Sequence, residues 1–490
     1  MKYTFNKILL AALLVSLFAV VSCGKKFLEE PPRTTTINDL LNNPQDGAQR
    51  LIGAVYNKLY DWETHSFPWI GISSISSDDA DKGSSPGDGG GDKLELDGWL
   101  ISPTNISFNE LWEGNFEGIG RACYAIKFLT SMNLPPADKD RYIGEAKFLR
   151  AYFNWNLVRT FGGVPKIDKV LTSQADIEIA SVRASAAEIY AFIESDLTDA
   201  AVKLPTIIPI AERGRTSKAA AQALLAKVYL YQNKWGQSKS MCDALIGSGQ
   251  FSLLPNYAMI WREAGEFSSE SIWEVNAIAD NPPKGIQQYT EVQGMRGSGA
   301  GDFGWGFNVP SLDLVNAYEP GDLRKAATIL VSGSKLWDGF VTSNTLPNPY
   351  YNYKAYVSRT AETFFDRGQS NKNLRVSRYG EILLIKAEAE NELNDTTASK
   401  NALNLIRQRA GLPPVNAISQ ASLRNKIYKE RRVEMAFEHD RMFDLRRTGR
   451  AAAVLQALGK PYLSPKHNLF PIPQRQIDLS GNKIIQNPGY

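Results

Sequence analysis

The sequence predicts a mainly α-helical protein, a scaffold of packed helix pairs that carries long, loop-rich insertions. Three observations support this. Apolar residues recur at three- and four-residue spacing over long stretches. Segment 217–233 is alanine-rich and apolar nearly all round, so it belongs between other helices. Residues 61–103 and 251–375 break the pattern with glycines, prolines and aromatics.

Composition sets the limits. The chain has 490 residues, with 43% hydrophobic and 22% charged, an ordinary globular balance and enough for a large core. A net charge of +3 gives no special pull toward nucleic acid or anionic membrane. Aromatics are generous, with 10 Trp and 20 Tyr.

The N-terminus reads as a targeting segment. Lys2 and Lys7 precede an apolar run from Ile8 to Val21, too short for a comfortable membrane span. The run ends in Val20-Val21-Ser22-Cys23, which resembles the lipobox of bacterial lipoproteins. Residues 1–22 are thus expected to be a leader, and Cys23 the lipidated mature N-terminus. Each buried CH₂ of an acyl chain contributes ~0.8 kcal/mol, so several chains hold a protein firmly on a bilayer. Cys123 and Cys242 sit in helical patterns among apolar residues and read as two buried thiols.

Residues 24–42 read as an extended tether. A helix starts after Asn43, a good N-cap with Pro44 at the first helical position, and its stripe is Ala48, Leu51, Ile52, Val55 and Leu59. Segment 61–103 reads as irregular, with a flexible glycine-rich loop at 83–91. Asp79 and Asp81 resemble the start of a calcium loop, but the twelfth position is Gly90, not glutamate. Helices are expected at 108–132, at 138–161 with a stop at Gly162-Gly163, and at 185–204. Then 217–233 pairs with 235–246, and a second pair begins near Tyr379. Leu224-Leu225-Ala226-Lys227 is echoed by Leu383-Leu384-Ile385-Lys386. Such pairs resemble tetratricopeptide units. Between them, 271–278 reads as a strand, and 294–306 and 344–356 as loops.

The most informative stretch is 419–450. It contains Glu430-Arg431-Arg432-Val433-Glu434, Phe437-Glu438 and Arg441-Met442-Phe443-Asp444-Leu445-Arg446-Arg447. Acids and bases recur at helical neighbour spacing, interleaved with Ile427, Val433, Phe437 and Phe443. No wide polar face remains, so these charges should meet partners on other elements. The arginines alternate with acids and build no stripe for nucleic acid.

These residues resemble the C-terminal signature of the SusD/RagB family of outer-membrane nutrient-binding lipoproteins, an acid- and arginine-rich helix ending in a Phe-Asp-Leu-Arg turn. His439-Asp440 departs from it, because the family usually has glycine after the glutamate. Phe27-Leu28-Glu29 with Pro31-Pro32, the block from Glu145 to Ala151, Phe161-Gly162-Gly163-Val164-Pro165, Pro471-Ile472-Pro473 and Gln486-Asn487-Pro488-Gly489-Tyr490 also resemble family patterns. The resemblance implies an N-terminal helical region at 23–230 and a C-terminal region at 231–490 that bears the binding loops. It further implies a tetratricopeptide-like scaffold without enzymatic activity, lipid-anchored at the outer membrane and facing the exterior. Such a protein delivers an oligosaccharide, a polysaccharide or a related nutrient to a SusC-like TonB-dependent transporter.

Little points to catalysis. There are 3 histidines, His65, His439 and His467, with no His-x-x-x-His pair, and no hydrolase elbow. Acids such as Glu388 and Glu390 read as a solvated or paired helix face. No cofactor, metal or catalytic residue is expected. The rival readings are a surface glycoside hydrolase and a helical-repeat assembly scaffold. What remains is loop aromatics, whose flat faces suit the apolar face of a pyranose. The candidates are Trp69, Trp99, Trp305, Trp337 and Tyr350, with Asp79 and Asp81 for sugar hydroxyls. Replacing Cys23 with alanine should leave the protein unlipidated and release it from membranes; detergent-dependent membrane retention of that variant would refute the anchor.

Overall fold

Alanine and leucine runs become helices where they were expected, with ends set by caps. The computed structural model describes residues 37–490 apart from 86, 280–285, 287, 368, 417 and 418. The expected leader, Cys23 and residues 24–36 lie outside the described residues. The chain falls into two units, 1–48 and 49–490. In the first, Ile37–Asn42 is a helix, not extended tether as expected, because Ile37, Leu40 and Leu41 carry helical spacing. Everything below concerns the second unit.

The scaffold helices are α1 (Ile106–Ser131), α2 (Pro136–Phe161), α3 (Ala186–Lys203), α4 (Lys218–Tyr231), α5 (Trp235–Gly247), α6 (Tyr379–Glu392), α7 (Thr396–Arg409), α8 (Gln420–Glu434) and α9 (Arg441–Arg447). Asn105, Ser185, Ser217, Asp395 and Ser419 accept backbone N–H bonds at five of the N-termini, which is why these helices start where they do. α2 stops at Gly162, whose φ is +74°.

The two predicted pairs stack. Ala219, Ala223, Ala226 and Leu230 of α4 pack with Cys242 and Leu245 of α5, and with Ile382 and Ile385 of α6. α6 turns its other side to Leu403 and Ile406 of α7 and to Leu423 and Ile427 of α8. Small side chains on α4 let neighbouring backbones approach, so the pairs share one apolar interior. Cys123 and Cys242 are buried free thiols.

The insertions are more ordered than expected. Segment 61–103 holds short helices Trp62–His65, Phe67–Ile70 and Gly91–Gly98, a π-turn at Gly71–Ile75, and strand β1 (Ala80–Gly83). Further on come β2 (Ser271–Val275), β3 (Phe307–Pro310), β4 (Ile329–Val331), β5 (Tyr350–Asn352), β6 (Phe364–Asp366), β7 (Gln369–Ser370) and β8 (Leu374–Arg378). They form antiparallel pairs β1–β3, β2–β8, β4–β5 and β6–β7. The expected strand 271–278 thus ends at Val275, and the expected loop 344–356 contains β5.

The signature stretch is two helices rather than one. α8 ends at Glu434, and Phe437 (φ +64°) and His439 (φ +66°) turn the chain into α9. Phe443 to Arg446, expected as the turn, is helical. His439 therefore adopts the left-handed backbone a glycine would take freely. Its ring is held there, with Nδ1 at 3.3 Å from Ser73 Oγ and Nε2 at 2.9 Å from Tyr289 Oη.

Many charges of this stretch are buried and paired. Glu434 bonds Arg378 at 2.6 Å and Arg324 at 3.0 Å, and also pairs with Arg409. Arg378 reaches Glu438 through Nε at 2.7 Å and Nη2 at 2.8 Å. Arg431 joins Glu381 (2.9 Å) and Asp444 (2.6 Å), and Asp440 joins Arg159 (2.8 Å) and Lys227. Arg441 grips Asp78 with two bonds of 2.7 Å. Glu388 and Glu390 also belong to pairs, with Arg447 and Lys386.

Two predictions follow from this burial. Arg378→Ala removes the guanidinium that Glu434 and Glu438 share, leaving Glu438 only Lys354 and Glu434 only Arg324 and Arg409, and should cost ~3–5 kcal/mol, read by denaturant unfolding. The second concerns acid. Burial raises the Glu434 carboxyl, but Arg409, Arg378 and Arg324 outweigh it and hold it well below the usual carboxylate range. Burial lowers His65 to about 4, His439 to about 3 and His467 to about 4. All four groups bind protons more readily unfolded than folded, so stability is full above their unfolded pKa values and lost as pH falls. The melting temperature should drop first between about pH 6.5 and 4, as the unfolded histidines charge, and continue down through the carboxylate range. A melting temperature flat from pH 7 to 4 would contradict this.

Candidate functional site

The structure sorts the sequence-predicted residues into two groups. Trp69 is 2% exposed, stacked on Phe443 (5.5 Å, 22°) with the Arg159 guanidinium 4.7 Å from its ring. Trp99 is also 2% exposed; its Nε1 donates to Ser76 O (2.9 Å) and its ring lies on Phe470 (5.8 Å, 13°). Asp79 is buried against Arg432, at 2.7 Å. These three offer no surface to a sugar, because segment 61–103 folds inward and covers the last helices. The remaining candidates reach solvent. Asp81 is exposed on β1, Trp305 and Tyr350 are half-buried, and Trp337 is 43% exposed.

Trp305 stands beside Trp62, with ring centroids 6.2 Å apart at 57°. Phe67 closes the cluster from below, 5.9 Å from Trp62 and 6.3 Å from Trp305. The backbone under Trp305 is pinned. Its N donates to Glu291 O (2.7 Å), and its carbonyl accepts from Ser84 Oγ (2.6 Å). A Cβ at Gly304 would lie 2.0 Å from Glu291 O, so only glycine permits this path. Nearby, Arg296 and Asp88 pair at 2.7 Å, and Asp88 accepts from Ser85 N (2.8 Å). Two half-open indoles beside charged hydrogen-bonding groups offer flat apolar faces next to donors and acceptors, the chemistry a sugar ring and its hydroxyls require. Sequence reasoning missed Trp62, Arg296 and Asp88. Trp62 lay just inside the insertion already singled out.

Trp337 sits on a separate turn closed by Leu336 N donating to Phe340 O (2.7 Å). Its own N donates to Tyr353 Oη (2.9 Å), and the Arg262 guanidinium lies 4.7 Å from its ring. Beside it, Asp338 accepts from Tyr356 Oη (2.6 Å). Stacking on arginine fixes the indole while leaving much of it in solvent. Tyr350 starts β5 and packs partly against the apolar cluster that includes Leu314, Val315 and Ile329.

Behind Trp69, an internal space of about 40 Å³ is lined by Arg159, Lys227, His439 and Asp440. It holds a few waters at most and no sugar.

Known proteins with related sequences share this architecture. Residues 269–490 match the profile described as the SusD family, and 47–230 match one described as starch-binding associating with outer membrane. SusD-like protein P2 of Formosa agariphila is 27% identical over 82% of this chain and 84% of its own length. A laminarin-binding SusD-like protein of solved structure superposes with a TM-score of 0.80 at 28% identity, covering 91% of this chain and 99% of its own. Surface glycan-binding protein A of Bacteroides thetaiotaomicron, solved with laminarihexaose, gives 0.77 at 26% identity, covering 90% and 99%. With two such profiles across most of its length, the arginine-rich signature helices and the fold itself, the chain belongs to the SusD/RagB family.

Proposed function

We propose that this protein is a cell-surface lipoprotein that binds an oligosaccharide on its insertion aromatics and passes it to a SusC-like TonB-dependent transporter in the outer membrane. The observation behind this reading is the pinned Trp305–Trp62 pair together with exposed Trp337, all on insertions and none needed to fill the helical core. Tyr350 and Asp81 complete the proposed set at its margins. Similarity to a laminarin-binding protein and to a laminarihexaose complex makes a β-glucan of that type the first ligand to test. The reading assigns no catalytic residue; purified protein should leave laminarihexaose intact.

Burying ~100 Å² of sugar and ring contributes roughly 2.5 kcal/mol per aromatic before entropy losses. Two or three such contacts suit millimolar to micromolar binding, which takes about 4–8 kcal/mol. Calorimetry with laminarihexaose should show Trp305→Ala and Trp337→Ala each weakening binding about tenfold at nearly unchanged melting temperature. Trp69→Ala and Trp99→Ala should instead cost ~3–5 kcal/mol of stability. Full affinity in both the Trp305 and the Trp337 variants would rule out the proposed site.

A further inference from the structure

A second cleft, of about 390 Å³, opens between the loop at 206–217 and the segment 250–274. Its back wall is rigid. Trp273 is buried and its Nε1 donates to Gly214 O (3.2 Å). Gly214 has φ +96°, and a Cβ there would lie 2.9 Å from Asn276 Cβ, so the turn carrying Arg213 admits only glycine at this point. Phe267 holds a left-handed backbone (φ +51°), and its N donates to Glu274 Oε1 at 3.1 Å. A non-glycine residue in that conformation carries strain of the kind that gathers at ligand clamps.

The charges at this cleft do not cancel. Arg215 is spent on Glu145 at 3.0 Å, and buried Glu274 on Arg375 (3.6 Å) and Asn373 (2.8 Å). Arg213 is exposed, with its guanidinium 5.6 Å from the Phe267 ring, and it forms no ion pair with any described residue. The side chains of Gln250 and Ser268, also in the lining, make no hydrogen bond to a described residue. A guanidinium held on a phenyl face binds carboxylate or sulfate oxygens in a fork, and amide and hydroxyl groups suit the ring hydroxyls of a sugar.

We infer that this cleft is a second carbohydrate subsite, specific for an anionic sugar unit whose carboxylate or sulfate ester pairs with Arg213 and whose ring rests against Phe251 and Phe267. It is independent of the Trp305 and Trp337 surfaces. Calorimetry on the intact protein at low salt, with glucuronic acid, glucose 6-sulfate and glucose as probes, tests it. At least one anionic probe should bind about tenfold tighter than glucose and weaken with added salt. Binding by one probe alone identifies carboxylate or sulfate as the recognised group. Arg213→Ala should lose about tenfold in affinity, whereas Trp305→Ala should lose none. Phe267→Gly removes the ring but keeps the backbone relaxed, and should lose affinity without loss of melting temperature. Failure of both anionic probes, equal binding of glucose, or full affinity in Arg213→Ala overturns the assignment.

Discussion

The interior of this protein depends on the mutual neutralisation of buried guanidiniums and carboxylates around Glu434 and Arg378. An ion of this size leaves water only at a cost of several kcal/mol, and the cost is offset only when every partner is in place. Arg378 lies at the end of β8, Arg409 at the end of α7, Arg324 in the 311–328 region and Glu438 between α8 and α9. None of these elements can shift without leaving a charge unpaired. Removing one member is therefore costly, because it leaves an opposite charge under-compensated in the interior.

Much of this was legible in the sequence. The alanine-rich run at 217–233 had no polar face and could only be interior. The 419–450 stretch left no wide polar face, which argued against a freely solvated helix. Its break at Phe437 and His439 was not legible, because neither residue advertises a left-handed backbone; the hydrogen bonds that hold His439 come from Ser73 and Tyr289, far away in sequence. The candidate site was legible only in part. A tryptophan in an irregular segment looks the same whether the segment folds outward or inward. Trp69 and Trp99 belong to a segment anchored by Arg441–Asp78 and Arg432–Asp79, so they face the core, whereas Trp305 and Trp337 ride turns that leave them partly in solvent. Periodicity carries no information about that choice, and long-range ion pairs decide it.

The same anchoring shapes the proposed binding surface. The β1–β3 ladder ties the first insertion to the segment that carries Trp305, and Ser84 Oγ holds the Trp305 carbonyl. The indoles thus sit on paired, hydrogen-bonded backbone rather than on free loops. A ligand bound at the proposed site would meet an ordered surface and lose little affinity to ordering it.

The bond from Arg441 to Asp78 spans 363 residues of chain. Among the described residues, Asp78 and Asp79 form ion pairs only with Arg432 of α8 and Arg441 of α9. A chain cut short before α8 would keep the first insertion but leave its two buried carboxylates without a countercharge, so the last helices act as the clasp for a segment near the other end of the chain.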